Sequence, residues 1–301
     1  MPLPSFPDPA AGAHEEGFLG SSAGVRIYWR RFMPPAPRAA VAVLHGGGDH
    51  SGRYAGITTA LVEAGFAVSL LDFRGHGRSS GRRWFVRSFD EYLADLDAFW
   101  PRAREGAPGK PVFVVAHSQG ALVALLWALR ARRDAAGLVL SSPYLGLAFT
   151  PPRLKVLAGR ALARFLPALP LATGLRITDL TSDEELQRFT EADPLYGGRT
   201  ATPGWFVAAG AAQAEVIARA PELELPLLVL AAGADAIADA RLARALVDAS
   251  GSRDKEYREL SGQRHEIWNE RDREKAIEEA VAWLCARAPR EGAKAIDGSS
   301  G

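Results

Sequence analysis

The chain has 301 residues, a formal net charge of +1, 48 % hydrophobic and 24 % charged residues. That length admits one α/β domain carrying an insertion, and the composition is that of a globular protein with a large core. The near-neutral charge gives no electrostatic ground for a nucleic-acid partner, and the single cysteine, Cys285, excludes an intrachain disulfide or a metal site built on several thiolates.

The opening MPLPSFPDPA lacks a basic stretch and is broken by prolines, so no signal peptide is expected. The longest apolar runs, such as ALVALLWAL (121–129), stop short of the roughly 18 residues of a membrane span. A cytoplasmic protein is therefore expected, with flexible termini at 1–16 and 290–301. VRIYWRRF reads as an early two-faced strand. AVAVLH, FAVSLLD, VFVVAH, GLVLSS and LPLLVLAAG are short apolar runs flanked by turn residues, the pattern of strands buried on both faces of a parallel sheet. Helical patterns alternate with them. SFDEYLADLDAFW opens on a capping box of Ser88 and Glu91, Gln119 to Arg133 is a mostly apolar helix, and EKAIEEAVAWLCAR is a late one. This alternation predicts a doubly wound α/β sheet with core segments 17–145 and 202–289.

The rhythm breaks at 146–201, where no buried strand is evident. PRLKVLAGRALARFLPALPL reads as a helix with an apolar and a basic face (Arg153, Lys155, Arg160, Arg164), and SDEELQRF as a further helix with a Ser182–Glu185 capping box. We read 146–201 as an inserted, mostly helical cap.

In VVAHSQGALVAL (114–125), Ser118 sits between a strand and a helix within Ala116-His117-Ser118-Gln119-Gly120. A nucleophile elbow needs small residues on both sides of a serine placed there, and the helix that follows aims its dipole at a developing oxyanion. An ordinary helix N-cap would also place a serine at this point. LHGGGDHSGRY (44–54) follows another strand. Such a glycine loop can supply an oxyanion donor, which nominates Gly47 together with the N–H of Gln119. A phosphate-binding turn is less well supported, because no GxxxxGK[ST] pattern accompanies it. Of six histidines, only His265 lies late in the chain, after the strand KEYREL, where this hydrolase order places the base. His117, as a strand neighbour, is expected to point away from the serine. Asp235 comes directly off the strand LPLLVLAAG and is preferred as the acid. Asp239 is the second candidate and also reads as the N-cap of the next helix.

Together these residues resemble the α/β-hydrolase superfamily and, within it, the monoacylglycerol lipase and lysophospholipase family. HGGGDHSGRY resembles the family's HGxGEHSxRY loop, DFRGHGRSSG its D-x-R-G-H-G-x-S turn, and GADAIAD its strand-end acid loop. AHSQG stands where GHSMG is usual, and FTPPRLKVLAGRALARFLPALPL and TEADPLY resemble the lipase cap and its S-D-P-L segment. The resemblance implies Ser118 as nucleophile, Asp235 as acid, His265 as base, and Gly47 and Gln119 as oxyanion donors. His45, Gly46, Asp49 and Arg53 would support the oxyanion loop. Gln in place of Met at 119 keeps the backbone donor but alters the pocket rim, and three consecutive glycines are expected to loosen the loop.

The implied reaction is attack of Ser118 on a lipid ester, most simply a monoacylglycerol, through an acyl-enzyme and without metal or organic cofactor. A lysophospholipase, a broad carboxylesterase, a peptidase-like enzyme or a thioesterase would use the same residues. Serine at 118 disfavours an aspartate-nucleophile dehalogenase or epoxide hydrolase, and an intact triad disfavours a non-catalytic binding receptor. The cap could touch a membrane or micelle through its basic face, although an apolar face packed on the core with solvated arginines is the plainer reading.

Overall fold

The structure is a computed structural model that describes residues 13–130 and 134–289. In chain order the elements are β1 (Ala13–Gly20), β2 (Arg26–Met33), β3 (Ala39–Leu44), α1 (Ala55–Glu63), β4 (Phe66–Leu71), α2 (Asp90–Glu105), β5 (Val112–His117), α3 (Gln119–Leu129) and β6 (Ala135–Ser141). There follow α4 (Arg153–Phe165), β7 (Leu171–Ala172), α5 (Glu184–Ala192), β8 (Thr200–Ala201), α6 (Pro203–Ala218), β9 (Leu227–Ala232), α7 (Ala240–Ala249), β10 (Lys255–Leu260) and α8 (Arg273–Arg287).

Eight strands form one sheet in the order β1-β2-β4-β3-β5-β6-β9-β10. β1–β2 and β2–β4 are antiparallel, and the other neighbours are parallel. The central apolar runs bury both faces with a period of two. On β3, Ala40, Ala42 and Leu44 join the core under α2, α3 and α6, whereas Ala39, Val41 and Val43 join the core under α1 and α8. α3 is buried along its whole length because helices cover it on the side away from the sheet. It ends at Leu129, and its expected continuation through Arg133 runs into residues outside the described ones.

The start of the core differs from the expectation of a flexible 1–16. Residues 13–16 belong to β1, paired from Ala13↔Met33 to Gly20↔Arg26. The side chains of His14, Glu15 and Glu16 are exposed, so no apolar alternation marks them, while backbone pairing to β2 and the Glu15–Arg31 ion pair hold the strand. Residues 1–12 and 290–301 lie outside the described residues.

Between β6 and α6 the chain leaves the sheet. The segment assigned above to an inserted cap holds α4, α5 and the small β7–β8 ribbon. α4 stops at Phe165, ahead of Pro167, which cannot continue it. Neither expected capping box forms. Ser88 accepts the Asp90 N–H, but Glu91 accepts the Arg87 N–H and pairs with Arg74 instead of returning to Ser88. At α5 the cap is Asp183, whose carboxylate accepts the N–H groups of Glu185 and Leu186, because Ser182 is drawn to the buried Glu270 carboxylate. Asp183→Ala should therefore lower the hydrogen-exchange protection of the α5 amides about fivefold, and Glu185→Ala should lower it less. Equal losses would restore the box.

Candidate active site

The site forms where β5, β9 and β10 end. Ser118 follows β5 with φ 50° and ψ −114°, a conformation disfavoured for a residue bearing a side chain. Its N–H donates to the Ser141 carbonyl at 2.9 Å and its own carbonyl accepts from Leu122 and Tyr144. The turn is tight because α3 begins at once. A side chain at Gly120 would sit 2.5 Å from the carbonyl oxygens of Leu44 and His45, so only glycine lets α3 lie against β3.

The Ser118 hydroxyl makes no helix-capping bond. Its Oγ lies 2.9 Å from His265 Nε2, and His265 Nδ1 lies 2.8 Å from Asp235 Oδ2. The other Asp235 oxygen accepts the N–H groups of Ile237 and Ala238. Asp239 instead caps α7 through the Arg241 N–H, so it does not reach the histidine. Burial alone would lower the His265 pKa, but the Asp235 charge and hydrogen bond outweigh it and hold the imidazole above its ordinary value. Burial likewise works against the Asp235 carboxylate, which His265 and the two N–H donors nonetheless hold below the usual range.

His117 departs from expectation. Its ring packs 4.8 Å from the His265 ring and lines the cavity, with Nδ1 at 3.0 Å from Ser141 Oγ. The strand alternation that would turn it away ends at Ser118, whose positive φ re-aims the chain. Burial, and then the neighbouring His265, hold the His117 pKa well below normal.

The glycine loop lies directly against the serine. A Cβ on Gly46 would be 3.4 Å from that of Ser118, and Gly47 and Gln119 line the same cavity. Gln119 opens α3, where backbone N–H groups have no helical partner. The three glycines do not loosen this loop. His117 fills the space a side chain on Gly46 would take, and Trp84 lies 2.6 Å from a Cβ on either Gly47 or Gly48, where Gly48 has φ 72°. The Gly48 carbonyl accepts the Gly197 N–H of the cap at 2.7 Å, and Gly46 N–H donates to the Tyr54 hydroxyl. His45 pins the loop's start. Its Nδ1–H donates to the Gly46 carbonyl at 2.7 Å and its Nε2 accepts the Phe73 N–H at 2.9 Å, an arrangement open only to the neutral ring. Burial lowers its pKa to about 3, which agrees with that arrangement.

Behind the loop, Arg53 is fully buried. Its Nε meets Asp49 at 2.7 Å, its Nη2 meets Glu266 at 2.6 Å, and its Nη1 donates to Thr190 of α5 at 2.6 Å. Burial pushes the Asp49 carboxyl up to about 6 against the pull of Arg53, with Glu266 adding to the rise. Glu266, next to His265, also donates its N–H to the Leu180 carbonyl of the cap. Sequence reasoning placed Asp49 and Arg53 beside the loop but missed Glu266, Thr190, Trp84 and Trp205. None of these carries a local motif, and only the fold brings them together.

Over the serine lies a cavity of about 400 Å³, walled by apolar side chains such as Tyr144, Phe149, Leu171, Leu175, Leu180 and Trp205. Its walls come from loops at the sheet edge, from residues 147–201 and from the start of α6. The arrangement places a serine hydroxyl within hydrogen-bond reach of a buried imidazole at the wall of a mostly apolar cavity.

A family model described as serine aminopeptidase, S33, matches residues 35–272. Phospholipase YtpA of Bacillus subtilis is 32 % identical over 248 residues, covering 82 % of this chain and 95 % of that protein. The monoglyceride lipase of Homo sapiens is 30 % identical over 258 residues, 84 % of each chain. The crystal structure of Paleococcus ferrophilus monoacylglycerol lipase superposes with a TM-score of 0.79 at 28 % identity, covering 87 % of this chain and 99 % of that one. With this fold, this match along most of its length and these relatives, the chain belongs to the α/β-hydrolase family described as serine aminopeptidase, S33.

Proposed function

We propose that this enzyme hydrolyses monoacylglycerols to fatty acid and glycerol through an acyl-enzyme on Ser118. The observation that carries the proposal is the hydrogen-bonded series Asp235–His265–Ser118 at an apolar cavity of about 400 Å³. Family membership and relatives named phospholipase and monoglyceride lipase make the chain a carboxylic-ester hydrolase acting on lipids.

In this reading His265 Nε2 takes the hydroxyl proton as Ser118 Oγ bonds to the ester carbonyl carbon. Asp235 orients the ring and stabilises the imidazolium. The carbonyl oxygen, now negative, accepts from the N–H groups of Gly47 and Gln119, each such donor being worth about 10²–10³ in rate. Collapse of the tetrahedral species expels the alcohol, which leaves with the proton from Nε2. Water then attacks the acyl-serine with His265 again as base, releasing the fatty acid and restoring Ser118. The sequence of steps draws on no metal or organic cofactor.

Lys155 supports a second reading, hydrolysis of lysophospholipids. It is exposed and lines the cavity, so it can meet an anionic head group, and one relative is named a phospholipase. We further propose a cytoplasmic enzyme that docks on lipid surfaces through α4. No helix among the described residues is long and apolar enough to cross a membrane. Leu154 is 81 % exposed and Leu157 61 %, beside Arg153, Lys155, Arg160 and Arg164.

Ser118→Ala should lower fatty-acid release from a long-chain monoacylglycerol by at least about a thousandfold. Full activity in that variant would remove the acyl-enzyme, and a flat profile across graded acyl lengths would remove the acyl pocket. Monoacyl phosphoglycerides assayed alongside would separate the two head groups. Because His265 is active as the neutral base and its pKa is raised, kcat/KM should fall on the acidic side with an apparent pKa above about 6.5. Asp235→Asn should lower kcat about 10⁴-fold and move that limb to lower pH, and a limb unmoved by the substitution would contradict the assignment. Leu154→Ser with Leu157→Ser should weaken co-sedimentation with phosphatidylglycerol vesicles several-fold, and unchanged sedimentation would sink the docking face.

A further inference from the structure

Gln119 does more than present a backbone N–H. The residue is 1 % exposed and its side chain reaches α6, where Oε1 accepts the Trp205 indole N–H at 2.7 Å. Trp205 is itself buried and stands in an aromatic wall of the cavity. It stacks on Tyr144 with ring centroids 5.8 Å apart and meets Trp84 edge-on at 4.6 Å. Trp84 in turn covers Gly47 and Gly48 and donates its indole N–H to the Gly197 carbonyl of the cap at 2.7 Å. Thr202 caps α6 through the Trp205 N–H, and its hydroxyl donates to the Trp84 carbonyl.

We propose that the Gln119 side chain is a positioning group that seats Trp205 as the wall of the acyl slot, so that one residue serves both the oxyanion hole and acyl-chain selectivity. This rests on the ester-hydrolase reading and names the residue that sets its acyl preference. The chemistry is a matched pair. An indole N–H can only donate, and a buried one left without an acceptor is costly. The amide oxygen of Gln119 is that acceptor. A methionine in its place, as in the pattern GHSMG that this segment otherwise resembles, offers only a weak thioether acceptor. Trp205 would then be free to tilt within the slot, and its contacts with Trp84 would carry part of that freedom to the oxyanion loop. On its other side the buried Gln119 amide meets the buried Tyr92 hydroxyl. The side chain is therefore held between Trp205 on one side and Tyr92 on the other.

The test compares acetyl and dodecanoyl esters in the wild type, Gln119→Met, Trp205→Phe and the double variant. The ratio of kcat/KM for the long ester to that for the short one should fall about fivefold in each single variant, mainly through KM, and no further in the double variant. Equal losses for both esters, or additive losses in the double variant, would overturn the proposal, since a merely structural role gives the first and independent roles the second. A second measurement does not depend on turnover. In ¹⁵N-tryptophan-labelled protein, the Trp205 indole N–H should exchange with solvent about tenfold faster in Gln119→Met, and an unchanged rate would also overturn it. A wild type inactive on both esters would instead refute the hydrolase reading, and the indole measurement would still decide the pair.

Discussion

The backbone of Ser118 is the constraint on which the rest of the site depends. A serine at φ 50° costs on the order of 1–3 kcal/mol and persists only where its surroundings over-determine it. Here they do so on three sides. The Ser141 carbonyl takes its N–H, Leu122 and Tyr144 donate to its carbonyl, and Gly120 lets a fully buried helix start within one residue of the strand. The strain directs Oγ away from the sheet and toward His265. It also places Gln119 at the first position of α3, where a free N–H is an unavoidable property of a helix end.

Arg53 plays the corresponding part for everything around the serine. One guanidinium, fully buried, joins the glycine loop through Asp49, the His265 loop through Glu266 and α5 through Thr190. A buried charge cluster of this kind is weak evidence for net stability, because desolvation offsets much of the attraction. Its value is geometric. Removing one member would leave an unpaired buried charge at a cost of about 3–5 kcal/mol, so the three segments are held in one arrangement.

The histidines show how burial and charge divide similar side chains between roles. Burial outweighs every nearby charge at His45 and His117 and keeps them neutral, which suits rings that brace backbone and side-chain hydroxyl. His265 is equally buried, but Asp235 lies 2.8 Å from its Nδ1 and raises its affinity for a proton. The bonded Asp235 carboxylate, with Glu266 and Asp49 adding to its pull, makes it the ring suited to accept a proton.

Much of this was legible in the sequence, because strand burial and elbow chemistry are local. A run such as AVAVLH must be buried on both faces, a small-residue frame around Ser118 marks a tight turn, and a lone late histidine after a strand marks the ring that meets Ser118. What the sequence could not decide are relations between distant residues. β1 is held by pairing and not by apolar alternation, so its first residues read as a tail. The choice of Asp183 over Ser182 as a helix cap depends on Glu270, eighty-eight residues away from Ser182. His117 faces the site because a strained φ interrupts the period-two rule. Local pattern thus determined the strands, the turn and the chemical identity of the candidate triad. Only tertiary packing decided that Arg53 ties two loops to α5, that Trp84 fills the glycine loop, and that the Gln119 side chain holds Trp205, since each of these rests on contacts between segments far apart in the chain.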